Sequence, residues 1–325
     1  AFVTGAAATA AATGAVALTG CAPEAKSDMA STGTSEGAAK TGYTFEIAPE
    51  PIPESDITST VESDIVIIGA GFSGLCCALS AAENGASVTL LERSDHVTGR
   101  GGSIYAMNSK LTKEKGYECS VEEIAQRYKR MMGYHSYRVD GNKWMTHFHR
   151  SGEAMDWLID HMTQASSVGG NNLTPVMEHW YGDPEDINGE FPGTHEFLDG
   201  PNGLGPDDNP QQDVCDNMAA YCADAGADIR YNTTAEQLVK DGDKVTGVVA
   251  KGSDGYVLFN GTKGVVLATG DFSQDKDMVA KYCPMALPFG YGGVYDGSGL
   301  KLALWIGASW QKYTPNAPML ATMGD

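Results

Sequence analysis

Six residues limit this chain's fold more than any others: Gly69-Ala70-Gly71-Phe72-Ser73-Gly74. The run before them, Asp64 to Gly69, is short, apolar and β-branched, as befits a strand buried on both faces of a parallel sheet. Gly71 to about Asn84 reads as a helix, ended by Asn84-Gly85, and Ser87 to Glu92 reads as a second strand closed by an acid. Glycine spacing alone is a weak signal. Strand, glycine turn, helix, strand and acid in that order make the full dinucleotide-binding arrangement. Gly69 permits the tight turn, Gly71 lets the backbone approach a pyrophosphate, and Gly74 allows close helix–strand packing. The helix N-terminus offers unpaired N–H groups and about half a positive charge to phosphate. Glu92, 18 residues beyond Gly74, is placed to accept hydrogen bonds from an adenosine ribose.

Two further features favour FAD over NAD as the dinucleotide. Residues 93–109, RSDHVTGRGGSIYAMNS, put a glycine-rich loop just past the ribose acid, with more backbone N–H groups for an extended cofactor. Gly264 to Phe272, GVVLATGDF, is an apolar strand ending in Ala-Thr-Gly. In flavoproteins with two dinucleotide folds such a strand returns to the FAD near its pyrophosphate.

Elsewhere, Ser120-Val121-Glu122-Glu123 has the form of a capping box opening a helix through Met132. A second helix is expected from Lys143 to about Thr163, with Trp144, Phe148, Met155, Leu158 and Met162 as its core stripe. Residues 165–208 read as loop, and Asn209-Pro210 as an N-cap and first turn of a helix reaching Ala225. Short strands follow: DIRYNTT, KVTGVVA, YVLFN and GVVLATG. Turns at Asp241-Gly242-Asp243 and Ser253-Asp254-Gly255 make them a β-meander leading into a final parallel strand. Gly299 to Gly307 reads as one more helix. The expected class is α/β.

The first 23 residues carry no charge and are rich in Ala, Gly and Thr. They are too weakly apolar for a membrane span and read as the apolar part of an export leader. Leu18-Thr19-Gly20-Cys21 has the form of a bacterial lipobox, with a diacylglycerol on the Cys21 sulfur. Residues 22–60 read as a disordered tether. The expected localisation is the extracytoplasmic face of a bacterial membrane. The net charge of −20 repels a phosphate backbone and argues against nucleic acid as a partner. The seven cysteines form no C-x-x-C, so neither a c-type haem nor a redox dithiol is expected; a Cys215–Cys222 disulfide stays open. His147 and His149 sit at i and i+2 of a helix and face apart, so no metal site is expected.

The chain resembles the fumarate reductase/succinate dehydrogenase flavoprotein family, most of all its exported fumarate- and urocanate-reductase-like branch. The resemblance rests on DIVIIGAGFSGL, LLERSDHVTGRGGS, RSGEAMDWL, DIRYNTTAEQLV with KVTGV, VVLATGDF and DGSGLKLALWIGA, and covers residues 62–316. It implies a Rossmann-like FAD-binding domain of the two-dinucleotide-fold type at 61–315, interrupted by a capping domain that begins at 316–325 and lies mostly further on. It also implies cofactor contacts. Gly69, Ala70, Gly71, Ser73 and Gly74 line the pyrophosphate; Glu92 and Arg93 hold the ribose region. Arg100, Gly101, Gly102 and Ser103 follow toward the flavin, with Ala106 nearby. Ala235 meets the adenine, and Ala268, Thr269 and Gly270 close over the pyrophosphate.

There are departures from the family pattern. Its Gly-Gly-Met-Asn is Tyr105-Ala106-Met107-Asn108, its A-T-G-G is Ala268-Thr269-Gly270-Asp271, and its T-G-D-G is Asp296-Gly297-Ser298-Gly299. Its His-Pro-Thr is replaced by Tyr313-Thr314-Pro315. The lost His points away from fumarate, and Tyr105 and Tyr313 toward a more aromatic pocket for a larger or less charged acceptor. The resemblance implies a C=C reductase of the anaerobic respiratory type, taking electrons from a c-type cytochrome or other membrane donor and passing them to a small organic acceptor. The family's proton donor lies beyond Asp325, so no catalytic residue is assigned, and residues 1–325 alone are expected to turn over little. A 3-ketosteroid-dehydrogenase-like enzyme and a non-catalytic electron-relay flavoprotein are the rival readings.

Overall fold

The strand that carries the glycine turn, β1, runs Ile57–Ile68. It crosses the centre of a computed structural model that describes residues 42–100, 103–120, 122–126, 129, 140–178, 193–203, 209–284 and 295–310. In chain order there follow α1 (Phe72–Glu83), β2 (Val88–Leu91), β3 (Ile104–Tyr105), α2 (Lys110–Glu114), α3 (Gly141–Met162), β4 (Thr174–Glu178) and β5 (Thr194–Leu198). Then come α4 (Pro210–Asp224), β6 (Asp228–Arg230), β7 (Thr234–Asp241), β8 (Lys244–Gly252), β9 (Gly255–Leu267), α5 (Lys276–Tyr282) and α6 (Ser298–Trp305).

One sheet has the order β6-β2-β1-β9-β8-β7, and a smaller one β3-β5-β4. In the large sheet β6, β2, β1 and β9 are parallel, while β7, β8 and β9 form an antiparallel meander. This is the α/β fold expected. Consecutive residues of β1 are buried on opposite faces. Ile67 packs with Leu75 and Leu79 of α1 and with helices α3 and α4, whereas Val66 and Ile68 pack with Val248, Ala250 and Phe259 of the meander. Burial on both faces is why the segment reads as an unbroken apolar run.

Several sequence expectations are corrected. Residues 42–60 are not a tether. Phe45 is buried, and β1 begins at Ile57, its N-terminal half pairing with Tyr256–Gly261 of β9. YVLFN and GVVLATG are one strand, not two. The pairing of β1 with β9 shifts between Ser63 and Ile65, so the Gly261–Gly264 stretch is a bulge. A Cβ on Gly261 would lie 2.3 Å from the Gly264 carbonyl, so only glycine fits. The 165–208 loop contains β4 and β5. Helices α2 and α5 and most of β7 were not foreseen. Asn209 precedes α4, but its side chain does not cap it; the amide donates to the Gly99 carbonyl at 2.7 Å instead.

Other expectations hold. The capping box is present: Glu123 N–H donates to Ser120 Oγ (3.2 Å), and Ser120 N–H to Glu123 Oε2 (2.7 Å). The α3 stripe is buried at Phe148, Met155, Leu158 and Met162, joined by Gly152; Trp144 is only half-buried. Cys76, Cys77, Cys119, Cys215, Cys222 and Cys283 are free thiols, which closes the question of a Cys215–Cys222 bridge. Among the described residues, no helix is long and apolar enough to cross a membrane. Cys21 and the Tyr313-Thr314-Pro315 segment lie outside the described residues.

Candidate functional site

The glycine turn is held by backbone bonds from both neighbouring strands. Gly69 N–H donates to the Leu91 carbonyl and Ala268 N–H to the Ile68 carbonyl, each at 2.8 Å. The two outer glycines are forced by contact. Gly69 has φ +102, and a Cβ there would lie 2.5 Å from the Ala268 carbonyl oxygen; a Cβ on Gly74 would lie 1.9 Å from the Gly69 oxygen. Gly71 differs. Its missing Cβ would meet protein only at the Thr98 oxygen, 3.8 Å away, an ordinary contact. No protein neighbour requires glycine at 71. The space it leaves belongs to a cavity of about 490 Å³, which runs past the N-terminus of α1.

Glu92 is buried at the floor of that cavity. Its Oε2 accepts from Ala70 N–H and its Oε1 from Ser94 N–H, both at 2.8 Å. The carboxylate therefore ties the glycine turn to the loop after β2, while each oxygen keeps a further lone pair for a ligand. The Glu92 carbonyl also receives Thr233 N–H at 2.8 Å, and Asn232, at φ +51, turns the chain so that Thr233, Thr234 and Ala235 form the adjoining wall.

Ten of the expected residues line this one cavity: Gly69, Gly71, Ser73, Glu92, Arg93, Arg100, Ala235, Ala268, Thr269 and Gly270. Four do not. Ala70 is fully buried, its N–H spent on Glu92, and Gly74 sits behind the turn as packing space. Ser103 donates to Glu196 Oε1 at 2.5 Å, and Ala106 is buried with its N–H on the Gly193 carbonyl. Both belong to the β3–β5 sheet, which draws their polar groups away from the cavity. Gly101 and Gly102 lie outside the described residues.

Sequence reasoning missed Thr98, Tyr295 and Asp296 as lining residues, and treated Ser298 only as a departure. Arg93 Nη1 lies 2.8 Å from Asp296 Oδ2. Partial burial pushes the Asp296 carboxyl up, but bonds from Ser298 and the Arg93 charge outweigh it and hold the group below the ordinary carboxylate value. The Tyr295 ring lies against Gly270, where a Cβ would come within 2.6 Å of it, and burial pushes its phenol up against the opposing Arg100 charge. The signal available in sequence was the unusual acid at 296, opposite an arginine after the ribose carboxylate.

Among the described residues, no group of three or more His, Cys, Asp and Glu side chains could hold a metal ion. His147 instead stacks on Tyr105, ring centroids 6.0 Å apart.

This geometry fits a dinucleotide: a glycine-lined approach, a helix N-terminus, a ribose-height carboxylate and two arginines around one cavity. Known proteins agree. The family described as "FAD binding domain" matches residues 64–321. A vinyl phenol reductase from Lactiplantibacillus plantarum is 28% identical over 265 residues, covering 79% of this chain and 48% of that protein. A urocanate reductase from Eggerthella lenta is 28% identical over 239 residues, covering 72% of this chain and 36% of that one. The chain thus spans half or less of the length of these relatives. In fold it resembles a 3-ketosteroid-Δ4-(5α)-dehydrogenase from Rhodococcus jostii RHA1, with a TM-score of 0.64 and 24% identity, over 80% of this chain and 57% of that one. The chain belongs to the FAD binding domain family, and FAD is its cofactor.

Proposed function

We propose that the protein is an exported FAD-dependent reductase that takes electrons from a c-type cytochrome or other membrane donor and delivers them to an activated C=C bond of a small organic acceptor. The observation that carries the reading is the single cavity in which the β1–α1 turn, Glu92, Arg100 and the Ala268–Gly270 end of β9 converge. The choice of C=C reduction is supported by the similarity to a vinyl phenol reductase and a urocanate reductase. The export and lipid anchor rest on the uncharged leader and Cys21.

Bound FAD supplies the two-electron redox chemistry. The chain's residues bind and orient it. N–H groups at the start of α1 and the Arg100 guanidinium would hold the diphosphate, and the free lone pairs of Glu92 would accept from the ribose hydroxyls. Ala235, Thr233 and Thr234 on one wall would hold the adenine, and Thr269 and Gly270 on another would hold the diphosphate; all five line the cavity.

The test is uptake and turnover. The full-length protein, reconstituted with FAD, should be yellow and oxidise reduced methyl viologen when given hydroxycinnamates or other enoates. Bulky aromatic enoates should outrun fumarate. A colourless protein that takes up no FAD would defeat the reading. Turnover only of a 3-ketosteroid with a dye acceptor, or flavin photoreduction with no acceptor turnover, would replace it with one of the rival activities. Membrane fractionation of Cys21→Ser, which should move the protein to the soluble fraction, tests the anchor.

A further inference from the structure

Two pairs of side chains cross the cavity between the same two segments. The segment after β2 contributes two arginines, Arg93 and Arg100, and the segment before α6 contributes an acceptor for each. Arg93 meets the Asp296 carboxylate at 2.8 Å. The Arg100 guanidinium lies over the Tyr295 ring, 5.9 Å from its centroid. All four residues line the cavity, although Arg93 and Asp296 are 203 positions apart in sequence.

Both acceptors are held rigidly. Asp296 Oδ1 takes the Ser298 N–H at 3.0 Å, which leaves Oδ2 aimed at Arg93. Tyr295 is pressed on Gly270, whose φ of +77 and missing Cβ make room for the ring. The Gln274 N–H donates to the Tyr295 carbonyl at 2.8 Å, and Gly297 N–H donates to the Asp271 carbonyl at 3.1 Å. The loop after β9 and the segment bearing the acceptors are thus tied to each other by two backbone hydrogen bonds and a packed ring. Parting these residues from the arginine segment breaks both bridges.

We propose that Arg93–Asp296 and Arg100–Tyr295 form a two-bridge clasp that closes the cavity over the adenosine-diphosphate half of FAD and sets the rate at which FAD leaves. This rests on the FAD reading above. Asp296 and Tyr295 are positioning residues: they act on the cofactor through the two arginines. An exposed ion pair is a weak contact by itself, but a ligand lying beneath it excludes water and strengthens it.

The experiment follows FAD release by recovery of free-flavin fluorescence from the full-length, FAD-loaded protein. Asp296→Asn and Tyr295→Leu should each speed release about threefold to fivefold, the effect of losing one partly exposed bridge. The double variant should exceed the product of the two, because either bridge alone still holds the segments together. Raising salt from 0.05 to 0.5 M, about a threefold shorter screening length, should speed release from the unmodified protein more than from Asp296→Asn, whose remaining salt dependence reports the arginines against the diphosphate. A merely structural role would not move that salt dependence. Asp296→Glu should restore much of the slow release. Melting of the FAD-free variants separates clasp from folding: their midpoints should fall by only a few degrees, so that all remain folded at the temperature of the release assay. Release rates and salt slopes equal to those of the unmodified protein overturn the clasp while leaving FAD binding intact. Failure of the unmodified protein to bind FAD overturns both.

Discussion

Glu92 shows how one carboxylate serves fold and ligand together. Both its oxygens already accept backbone N–H groups, from Ala70 and Ser94. Glu92→Gln turns one of those oxygens into a donor facing a buried N–H. The expected loss is about 1–3 kcal/mol of stability, the cost of an unsatisfied buried donor. Urea unfolding of the FAD-free protein should show it, alongside weaker FAD affinity. His195 makes a second residue-scale prediction. It is fully buried, its Nδ1–H donating to the Gly193 carbonyl at 2.7 Å and its Nε2 accepting from Ser109 Oγ at 2.8 Å. Burial holds its pKa below the ordinary histidine value. The unfolded chain therefore takes up a proton before the folded one does. The stabilisation is whole above about pH 6.5, the ordinary value, and is lost as pH falls from there toward the folded pKa. Unfolding midpoints measured from pH 7.5 to 5 should decline, and His195→Gln should decline less steeply over that range.

At the scale of elements, the segment before β1 fastens the far side of the site. Phe45 packs with Phe272, Met278 and Val279, and its carbonyl accepts the Trp305 indole N–H at 2.8 Å. Lys281 pairs with Glu46 and lies over the rings of Tyr43, Phe45 and Tyr282. These contacts pin α5, which follows the Ala268–Gly270 strand end, and α6, which follows Asp296. Phe45→Ala should cost about 3 kcal/mol, the usual price of emptying a buried phenylalanine site, and calorimetry should record a lower melting temperature. A chain beginning at Ile57 should be destabilised at least as much. The β4–β5 pair shows why 165–208 looked like loop. Its strands are five residues each, one carries Pro175, and the other buries His195 and Glu196. Buried polar groups break the alternating pattern, and their partners Ser109 and Ser103 are 86 and 93 positions away.

Taken whole, the molecule stands on packing and hydrogen bonds, with no covalent crosslink among the described residues. Cys215 and Cys222 are both buried on α4, and desolvation raises each thiol to about 12. Such thiols stay protonated and unreactive at neutral pH. Melting curves with and without dithiothreitol should therefore coincide, and a reductant-dependent drop would reveal a disulfide the fold does not predict. The −20 charge lies on a protein whose cavity is rimmed by arginines. Two carboxylates, Glu92 and Asp296, line the same cavity, so an anionic cofactor is held there by directed N–H and guanidinium donors rather than by a net positive field.

The βαβ unit, its cofactor class and ten of the cavity residues were legible in sequence. The βαβ unit and Glu92 depend on local rules: a left-handed or crowded turn needs glycine, a strand buried on both faces needs β-branched apolar residues, and a ribose needs an acid one strand away. Ser73, Arg93, Arg100 and Ala235 were legible only through the family resemblance. The sixteen candidates came partly apart because facing the cavity is not a local property. Ser103 and Ala106 follow the same loop as Arg100, yet pairing with β5 and its neighbours turns them aside. Only the tertiary structure could bring Asp296 and Tyr295 to the two arginines, or join two apparent strands into β9 through a bulge at Gly261. Those outcomes depend on contacts between residues far apart in the chain, whose energies no short window of sequence contains.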